Sequence, residues 1–303
     1  MSTKSTSQNR LYLILFFVLA ALWGGSFIAI KEVIHHIPPL QGAFFRVLIG
    51  LVTIYLISII KKAPSLEVKQ KFKSMFVGIF SIGLPFSLLF IGEKYISAGL
   101  AGVLNGTVPI WTVLIAIVFV SEERSRAGLK LVGALIGFVG ILIISYPSLQ
   151  AGAFDRLLGI GLILGMAISY AVGTNLSKMV MTRGGHPLKV SMNQHISTVI
   201  LLFIVTSYFE GNPFTSIHLA PMSTLLSLAY LGIFSTGIAF SLFFYLMREW
   251  SATKISTVTF IIPIFSLLLD FLIYHSLPTT YDLAGAVVIF SSLFLVFKAN
   301  KVV

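Results

Sequence analysis

Two stretches of sequence decide the fold: residues 78–90 read GIFSIGLPFSLLF, and residues 232–244 read GIFSTGIAFSLFF. They share nine identities in thirteen positions at an offset of 154, and the same offset carries Pro109 onto Pro263. Chance similarity between apolar segments is a poor explanation for a match of this length. The chain therefore contains an internal duplication, which is the first feature to search for in a new sequence.

The composition excludes a soluble globular protein. The chain has 303 residues, of which 57% are hydrophobic and only 10% are charged, and its mean hydropathy is +0.98. Soluble domains carry about 25% charged residues, and so few charges cannot cover the surface of a domain of this size. The absence of cysteine excludes a disulfide scaffold and a thiolate metal site. The composition predicts an all-α integral membrane protein.

Ten segments are long enough to cross a membrane, which requires about 20 mostly apolar residues. The first resembles a signal peptide, since Lys4 and Arg10 precede it, but its length and its counterpart later in the chain favour a membrane helix. The predicted spans are residues 11–30, 40–60, 73–91, 99–120, 128–146, 157–178, 188–209, 222–246, 255–274 and 282–298.

The distribution of lysine and arginine predicts the orientation. With the N-terminus in the cytoplasm, 17 of the 21 basic residues fall in cytoplasmic segments, three fall on the opposite side, and Arg46 lies within a span. Both termini are then cytoplasmic, and the net charge of +11 requires no nucleic-acid partner. For the basic loop at residues 61–73 a solvated orientation signal is the favoured interpretation, and contact with anionic membrane lipids is the alternative.

The duplication divides the spans into two sets of five, at residues 11–146 and 157–298. Because five is odd, the second set enters the membrane upside down relative to the first. Inverted repeats of this kind are typical of secondary transporters, in which the substrate site lies near the midplane between the repeats. The sequence therefore predicts a carrier that works by alternating access.

Four motifs occur in order along the chain: Trp23-Gly24-Gly25-Ser26-Phe27 with Lys31, Pro38-Pro39 leading to Phe45-Arg46, Tyr95 to Ala98 followed by Pro109, and Glu122-Glu123 before a glycine-rich fifth span. In these motifs and over its whole length, the chain resembles one known family, the EamA type of the drug/metabolite transporter superfamily. One departure is His275, which stands near the place where the second repeat of such proteins usually has an acidic residue.

The resemblance implies a secondary or facilitated carrier of small organic solutes in a bacterial inner membrane. Amino acids or related metabolites, moved outward, are the expected cargo, with protons as a candidate coupling ion. No cofactor is expected, and the protein would be a monomer or a homodimer. The alternative is a flippase for an amphipathic or lipid-like cargo, since the same inverted fold could carry one.

Two ionisable residues stand clearly inside spans, where an unpaired charge is costly. Arg46 lies seven residues after Pro39, roughly 10 Å along its helix, and Asp270 lies five residues before His275, roughly 8 Å along its helix. Both helix ends belong to the same side of the membrane. We hypothesise that the two side chains pair or share a polar network in some state of the cycle; separate, static positions are the alternative.

Other residues are candidates for the cavity and for proton coupling. Titratable candidates for coupling are Asp270, His195 and Glu93. Pro85, Pro109 and Pro263 predict helix bends that border the cavity. Polar and aromatic residues of the spans predict its lining, although each taken singly also suits a lipid-facing or packing position: Trp23, Ser87, Asn105, Trp111, Tyr170, Asn175, Ser241 and Tyr245.

Sequence motifs of other functional classes are missing. The chain has no G-x-x-x-x-G-K-[ST] string for nucleotide binding, and no G-x-S-x-G or H-E-x-x-H string for hydrolysis. For His35-His36, an exposed polar loop is favoured over a metal site. No charge ring or carbonyl filter suggests a channel. The sequence therefore predicts a transporter and not an enzyme.

Overall fold

The structure is a computed structural model that describes residues 6–119, 127–151, 153–275 and 277–300. Within these ranges the regular elements are all helical, as the composition predicts. The α-helices are α1 (Thr6–Gly24), α2 (Ser26–His36), α3 (Pro39–Ile60), α4 (Val68–Gly78), α5 (Leu84–Gly92), α6 (Ala98–Asn105), α7 (Val108–Phe119), α8 (Ala127–Gln150), α9 (Phe154–Thr182), α10 (Pro187–Phe209), α11 (Met222–Ala229), α12 (Ala239–Glu249), α13 (Ala252–Ser256), α14 (Ile262–Tyr274) and α15 (Thr280–Asn300).

Eight segments of the described residues are long and apolar enough to cross a membrane. The predicted spans 128–146 and 282–298 fall on α8 and α15. The apolar segments found there, Leu135–Ile144 and Thr280–Ser292, are shorter than the eight spans. A multi-pass helical membrane protein is thus confirmed, while the count of ten stays a prediction. The eight spans are Arg10–His36, Pro39–Ile60, Val68–Gly92, Ala98–Val118, Phe154–Thr182, Pro187–Phe209, Met222–Glu249 and Ala252–Tyr274.

Helices α8 and α15 pack against each other. A Cβ atom added to Gly140 would lie 2.8 Å from the backbone oxygen of Gly285, so the two backbones are in close contact there. Small residues allow such close approach between membrane helices. Glu122 and Glu123, which precede α8 in the sequence, lie outside the described residues.

Each of the three predicted bends coincides with an interruption of a span. Pro109 and Pro263 are the second residues of α7 and α14, and Pro85 is the second residue of α5. Proline lacks a backbone N–H and is tolerated in the first turn of a helix, where that group has no intrahelical partner. Each proline therefore stands where a regular α-helix resumes within its span, and a bend that borders the cavity stays a prediction at all three positions.

The stretches that reveal the duplication have the same unusual backbone. Residues Ile79–Gly83 and Tyr230–Ile238 are both π-helical, and the first segment moved by 154 positions falls inside the second. Wide π turns are rare, and they occur mostly at functional sites. Two copies of a sequence have therefore adopted one rare local conformation.

Two lysines, one in each half of the chain, repeat one interaction. Lys31 Nζ donates to the backbone oxygens of Glu93 and Ile96, and Lys178 Nζ donates to the backbone oxygen of Met247 at 2.7 Å. Glu93 and Met247 are again 154 residues apart. Each lysine thus satisfies carbonyl groups that a helix leaves unpaired at its C-terminal end.

The two halves interlock through their third and second spans. Helix α3 packs against the π segment Tyr230–Ile238, and α10 packs against α4 and the π segment Ile79–Gly83. Glycine permits a further close contact, since a Cβ atom on Gly173 of α9 would lie 2.4 Å from Cα of Ser81 and 2.7 Å from its backbone nitrogen. Because the contacted atoms belong to the backbone of Ser81, a change of side-chain rotamer cannot relieve this contact.

We expect Gly173→Ala to destabilise the protein by about 1–3 kcal/mol, the usual range for an overpacked core position. Gly161→Ala on the same helix is the matched control, because nothing lies within 4 Å of the added methyl group. The control should be neutral or slightly stabilising, since alanine is the better helix former by about 1 kcal/mol. Thermal unfolding of both variants in detergent tests the contact, and equal melting temperatures would contradict it.

Candidate functional site

A cavity of about 50 Å³ lies between the two halves. This volume holds a few water molecules and is smaller than an organic solute requires. Both halves supply its walls, with α1, α2, α3, α5, α6 and α7 from the first and α9, α12, α13 and α14 from the second. The lining residues are Trp23, Ser26, Phe27, Arg46, Leu89, Asn105, Val108, Tyr170, Thr174, Phe243, Ser256, Thr259 and Ile262.

Arg46 is the charged residue of this lining, and it is 2% exposed. Its Nε donates to Thr236 Oγ1 at 2.9 Å and its Nη2 donates to Ser235 Oγ at 3.0 Å. The guanidinium carbon lies 4.0 Å from the centroid of the Phe86 ring, a cation–π geometry. The remaining Nη1 is buried without a hydrogen-bond partner. Buried donors in proteins are nearly always paired, so this nitrogen is available to a ligand.

The start of α3 positions this arginine. Pro39 is the first residue of the helix, and the carboxylate of Glu210 accepts hydrogen bonds from the backbone nitrogens of Leu40 at 3.1 Å and Gln41 at 2.9 Å. A carboxylate at a helix N-terminus satisfies free N–H groups and opposes the helix dipole. Arg46 follows two turns later on a helix whose beginning is held in place.

The π segment Tyr230–Ile238 supplies the partners of Arg46. Besides Ser235 and Thr236, it places Tyr230, whose hydroxyl donates to the Leu22 backbone oxygen at 2.9 Å. Trp23 Nε1 donates to the Ser235 backbone oxygen at 3.0 Å. The sequence analysis missed Ser235 and Thr236 as site residues, although both lie in the repeated stretch that reveals the duplication.

A neutral counterpart of the Arg46 site exists in the other half. Gln194 lies seven residues after Pro187, the first residue of α10, just as Arg46 lies seven residues after Pro39. Ser81 Oγ, 154 positions before Ser235, donates to Gln194 Oε1 at 2.7 Å. Of these two equivalent positions, only the one in the first half carries a charge.

A smaller chamber of about 30 Å³ lies beside the central cavity. Trp23 contributes to both, and its ring centroid lies 5.5 Å from that of Phe240 and 5.3 Å from that of Phe243. Aromatic rings therefore form a layer between the two spaces. The chamber is lined by Trp23, Ser81, Tyr170, Thr174, Ser177, Phe240, Phe243 and Phe244.

Part of the predicted lining does lie around the central cavity. Trp23, Asn105 and Tyr170 line it, together with Arg46. The sequence analysis missed the hydroxyl residues of the lining, because serine and threonine in a membrane helix are equally compatible with a bond to the helix's own backbone. These residues are Ser26, Thr174, Ser256 and Thr259.

The other predicted lining residues make contacts elsewhere in this conformation. Asn175 Nδ2 donates to the backbone oxygens of Thr112 and Ala171, and Trp111 Nε1 donates to Thr107 Oγ1. The hydroxyls of Ser87 and Ser241 bond to the backbone oxygen four residues earlier, and Tyr245 is 40% exposed. Their polar groups serve helix packing or face outward here.

Arg46 and Asp270 are engaged separately in this conformation. Asp270 is 4% exposed, and its Oδ2 accepts a hydrogen bond from the backbone nitrogen of Gly99 at 3.0 Å, in the first turn of α6. Arg46 instead bonds to the π segment. A direct pair between the two charges therefore stays a prediction for another state of the cycle.

The remaining coupling candidates are fully buried. Both carboxylate oxygens of Glu93 are without a hydrogen-bond partner, while the backbone oxygen of the same residue accepts from Lys31. His195 Nδ1 lies 2.8 Å from the Ser191 backbone oxygen, and its Nε2 has no partner. Proton coupling at these residues stays a prediction.

Comparison with known proteins places the chain in a family. The EamA-like transporter family matches residues 10–146 and 157–298. The uncharacterized transporter YvbV of Bacillus subtilis is 29% identical over 300 residues, covering 98% of this chain and 95% of that one. A probable amino-acid metabolite efflux pump of Escherichia coli is 25% identical over 288 residues, covering 93% of each chain.

A solved structure supports the fold. A protein crystal structure with 18% sequence identity superposes with a TM-score of 0.69, covering 97% of this chain and 99% of the other. The family match extends over nearly the whole chain, and its two segments each contain one copy of the repeated stretch. The chain belongs to the EamA-like transporter family.

Proposed function

We propose that this transporter is a secondary carrier for a small organic metabolite with a carboxylate group, in the first place an amino acid or a related compound moved outward. The observation that carries the proposal is the buried guanidinium of Arg46, a residue that lines the cavity and whose Nη1 has no hydrogen-bond partner among the described residues. Arginine is the residue best suited to carboxylate recognition. The probable amino-acid metabolite efflux pumps among the relatives support the choice of cargo.

The rest of the lining fits a zwitterion with an apolar side chain. Trp23, Phe27, Tyr170 and Phe243 offer aromatic surface, on which both an apolar group and an ammonium group bind favourably. Serine, threonine and asparagine supply further hydrogen-bonding groups. Among the described residues, the lining has no carboxylate to balance Arg46, which disfavours a purely cationic amine.

The proposed architecture is ten spans in two inverted repeats, residues 11–146 and 157–298, with both termini in the cytoplasm of a bacterial cell and the spans in its inner membrane. Two observations support the repeat. The π segments recur at an offset of 154 residues. Glu93 and Met247, whose backbone oxygens accept hydrogen bonds from Lys31 and Lys178, are separated by the same offset. The distribution of basic residues supports the orientation.

The small cavity between two similar halves supports alternating access as the mechanism. Since 50 Å³ is too small for an organic solute, at least one wall would have to move during transport. One fold present in two orientations has two nearly equivalent arrangements, each open to a different side. Exchange between them would expose Arg46 to each side in turn.

We expect a carboxylate-dependent stabilisation of the purified protein. Phenylalanine, leucine or methionine at a hundred times the dissociation constant should stabilise the folded state by about 2.7 kcal/mol, while the matching decarboxylated amines should have little effect. Arg46→Gln should abolish the shift in melting temperature. Arg248→Gln, which removes an exposed cation outside the cavity, should retain it.

Two results would overturn this assignment. The first is equal stabilisation by acids and amines, and the second is a full shift in Arg46→Gln. A shift that requires an acyl chain and is lost in Arg46→Gln would instead favour a lipid-like cargo. Size-exclusion profiles and melting temperatures without ligand show whether each variant is folded.

Alternating access predicts opposite changes at the two ends of the cavity. The chain has no cysteine, so single-cysteine variants need no background removal. Leu89 and Ser256 both line the cavity. Each lies near one end of its span, and the proposed orientation assigns these two ends to opposite sides of the membrane. A cargo that traps one state should speed thiol labelling at Leu89→Cys and slow it at Ser256→Cys, or the reverse. Thr112→Cys, a buried position outside the lining, is the control. Parallel changes at both sites would contradict the mechanism.

Reporter fusions test the orientation. A green fluorescent protein fused after Val303 should fluoresce, because it folds in the cytoplasm, and alkaline phosphatase fused after Gln150 should be active, because it folds on the opposite side. Fusion of the phosphatase after Gly185 is the matched control and should be inactive. An active phosphatase at Gly185 together with an inactive one at Gln150 would reverse the assigned topology.

A further inference from the structure

A second cavity, larger than the central one, lies away from the central site. It is a groove of about 680 Å³ between α4 and the end of α9, lined among others by Lys69, Phe72, Lys73, Phe76 and Arg183. This volume lies within the range of ligand pockets, about 300–1,000 Å³. The groove shares no residue with the central cavity.

One face of α4 forms the first wall of the groove. Lys69, Phe72, Lys73 and Phe76 follow the spacing i, i+3, i+4 and i+7, which places them on one side of a helix. Charges and rings alternate along this side, with Lys69 in the first turn of the helix and Phe76 two turns further along. Phe72 is 67% exposed and Phe76 is 59% exposed, so aromatic surface lies open beside the positive charges.

The end of α9 forms the second wall and is tied to the first. Gln70 Nε2 donates to the Arg183 backbone oxygen at 2.6 Å. Gly184 has a φ of +93°, a conformation that favours glycine, and it turns the chain away directly after α9. Met179, which is 40% exposed, adds apolar surface one turn before Arg183. The groove is thus a defined feature between two fixed helix ends.

The charges of the groove favour an anionic ligand. Lys69, Lys73 and Arg183 line it together with a single carboxylate, that of Glu67. Lysine and arginine near a membrane surface attract anionic lipids. The adjacent apolar surface of Phe72 and Phe76 favours a ligand that is amphipathic instead of a fully water-soluble anion.

We propose that this groove binds an anionic phospholipid of the cytoplasmic leaflet, with its phosphate at Lys69, Lys73 and Arg183 and its first acyl carbons against Phe72, Phe76 and Met179. The side of the membrane rests on the orientation proposed above, whereas the binding itself does not. The lipid would bridge α4 and α9, and the π segment that directly follows α4 contacts α9 again at Ser81 and Gly173. It should therefore stabilise the fold.

The test compares two triple variants of the full chain in detergent. Lys69→Gln/Lys73→Gln/Arg183→Gln neutralises the groove, and Lys61→Gln/Lys62→Gln/Lys71→Gln removes three nearby cations that do not line it. Phosphatidylglycerol should raise the melting temperature of the wild type and the second variant, and phosphatidylcholine should not. At about fivefold per cation, the groove variant should bind phosphatidylglycerol roughly 100-fold more weakly, as measured by native mass spectrometry.

Several outcomes would overturn the proposal. Equal losses in both triple variants would indicate a diffuse basic surface. Equal stabilisation by soluble glycerophosphoglycerol would indicate an anion site without a lipid. Phe72→Ala keeps every charge and provides a second test in case the triple variant fails to fold. It should weaken phosphatidylglycerol binding and leave the response to soluble phosphate unchanged. Unaltered phosphatidylglycerol binding by Phe72→Ala would contradict the proposed contact between this ring and the acyl chains.

Discussion

The bonds between Arg46 and the π segment of the other half are the interaction on which the site depends. A charged arginine within a span costs about 3 kcal/mol on insertion scales, so it needs compensation inside the protein. Ser235 and Thr236 accept two of its hydrogen bonds, and the Phe86 ring lies under the guanidinium. Since both hydroxyl groups come from the other half of the chain, these hydrogen bonds form only when the halves are assembled.

The compensation is incomplete in a way that suits a carrier. Two nitrogens are bonded and Nη1 is not. A fully paired arginine would have no donor for a cargo, whereas an unpaired one would be too costly to bury. The proposed cargo, with its carboxylate, would complete the hydrogen bonding and thereby lower the free energy of the state that encloses it.

The asymmetry between Arg46 and Gln194 is consistent with a single site for the proposed carboxylate in a fold with two similar halves. Both residues lie seven positions after the proline that begins their helix, and both bond to the serine of the opposite π segment. The geometry is present twice, but the charge stands in one half. In the half that carries Gln194, Gly173 lets the backbone of α9 approach that of Ser81 closely.

Much of this protein follows from its sequence alone. Hydropathy and length predict the membrane helices, because burial in lipid depends on composition, and the repeat at residues 78–90 and 232–244 predicts two related halves. Trp23, Asn105 and Tyr170 could be chosen for the cavity by residue type and depth. Only the tertiary structure decided that Ser235 and Thr236 hold Arg46, that Asp270 instead accepts from Gly99, and that Asn175 faces a neighbouring helix. The reason is physical: a hydrophobic pattern determines which segments enter the membrane, whereas the rotation of each helix about its axis depends on close packing against its neighbours.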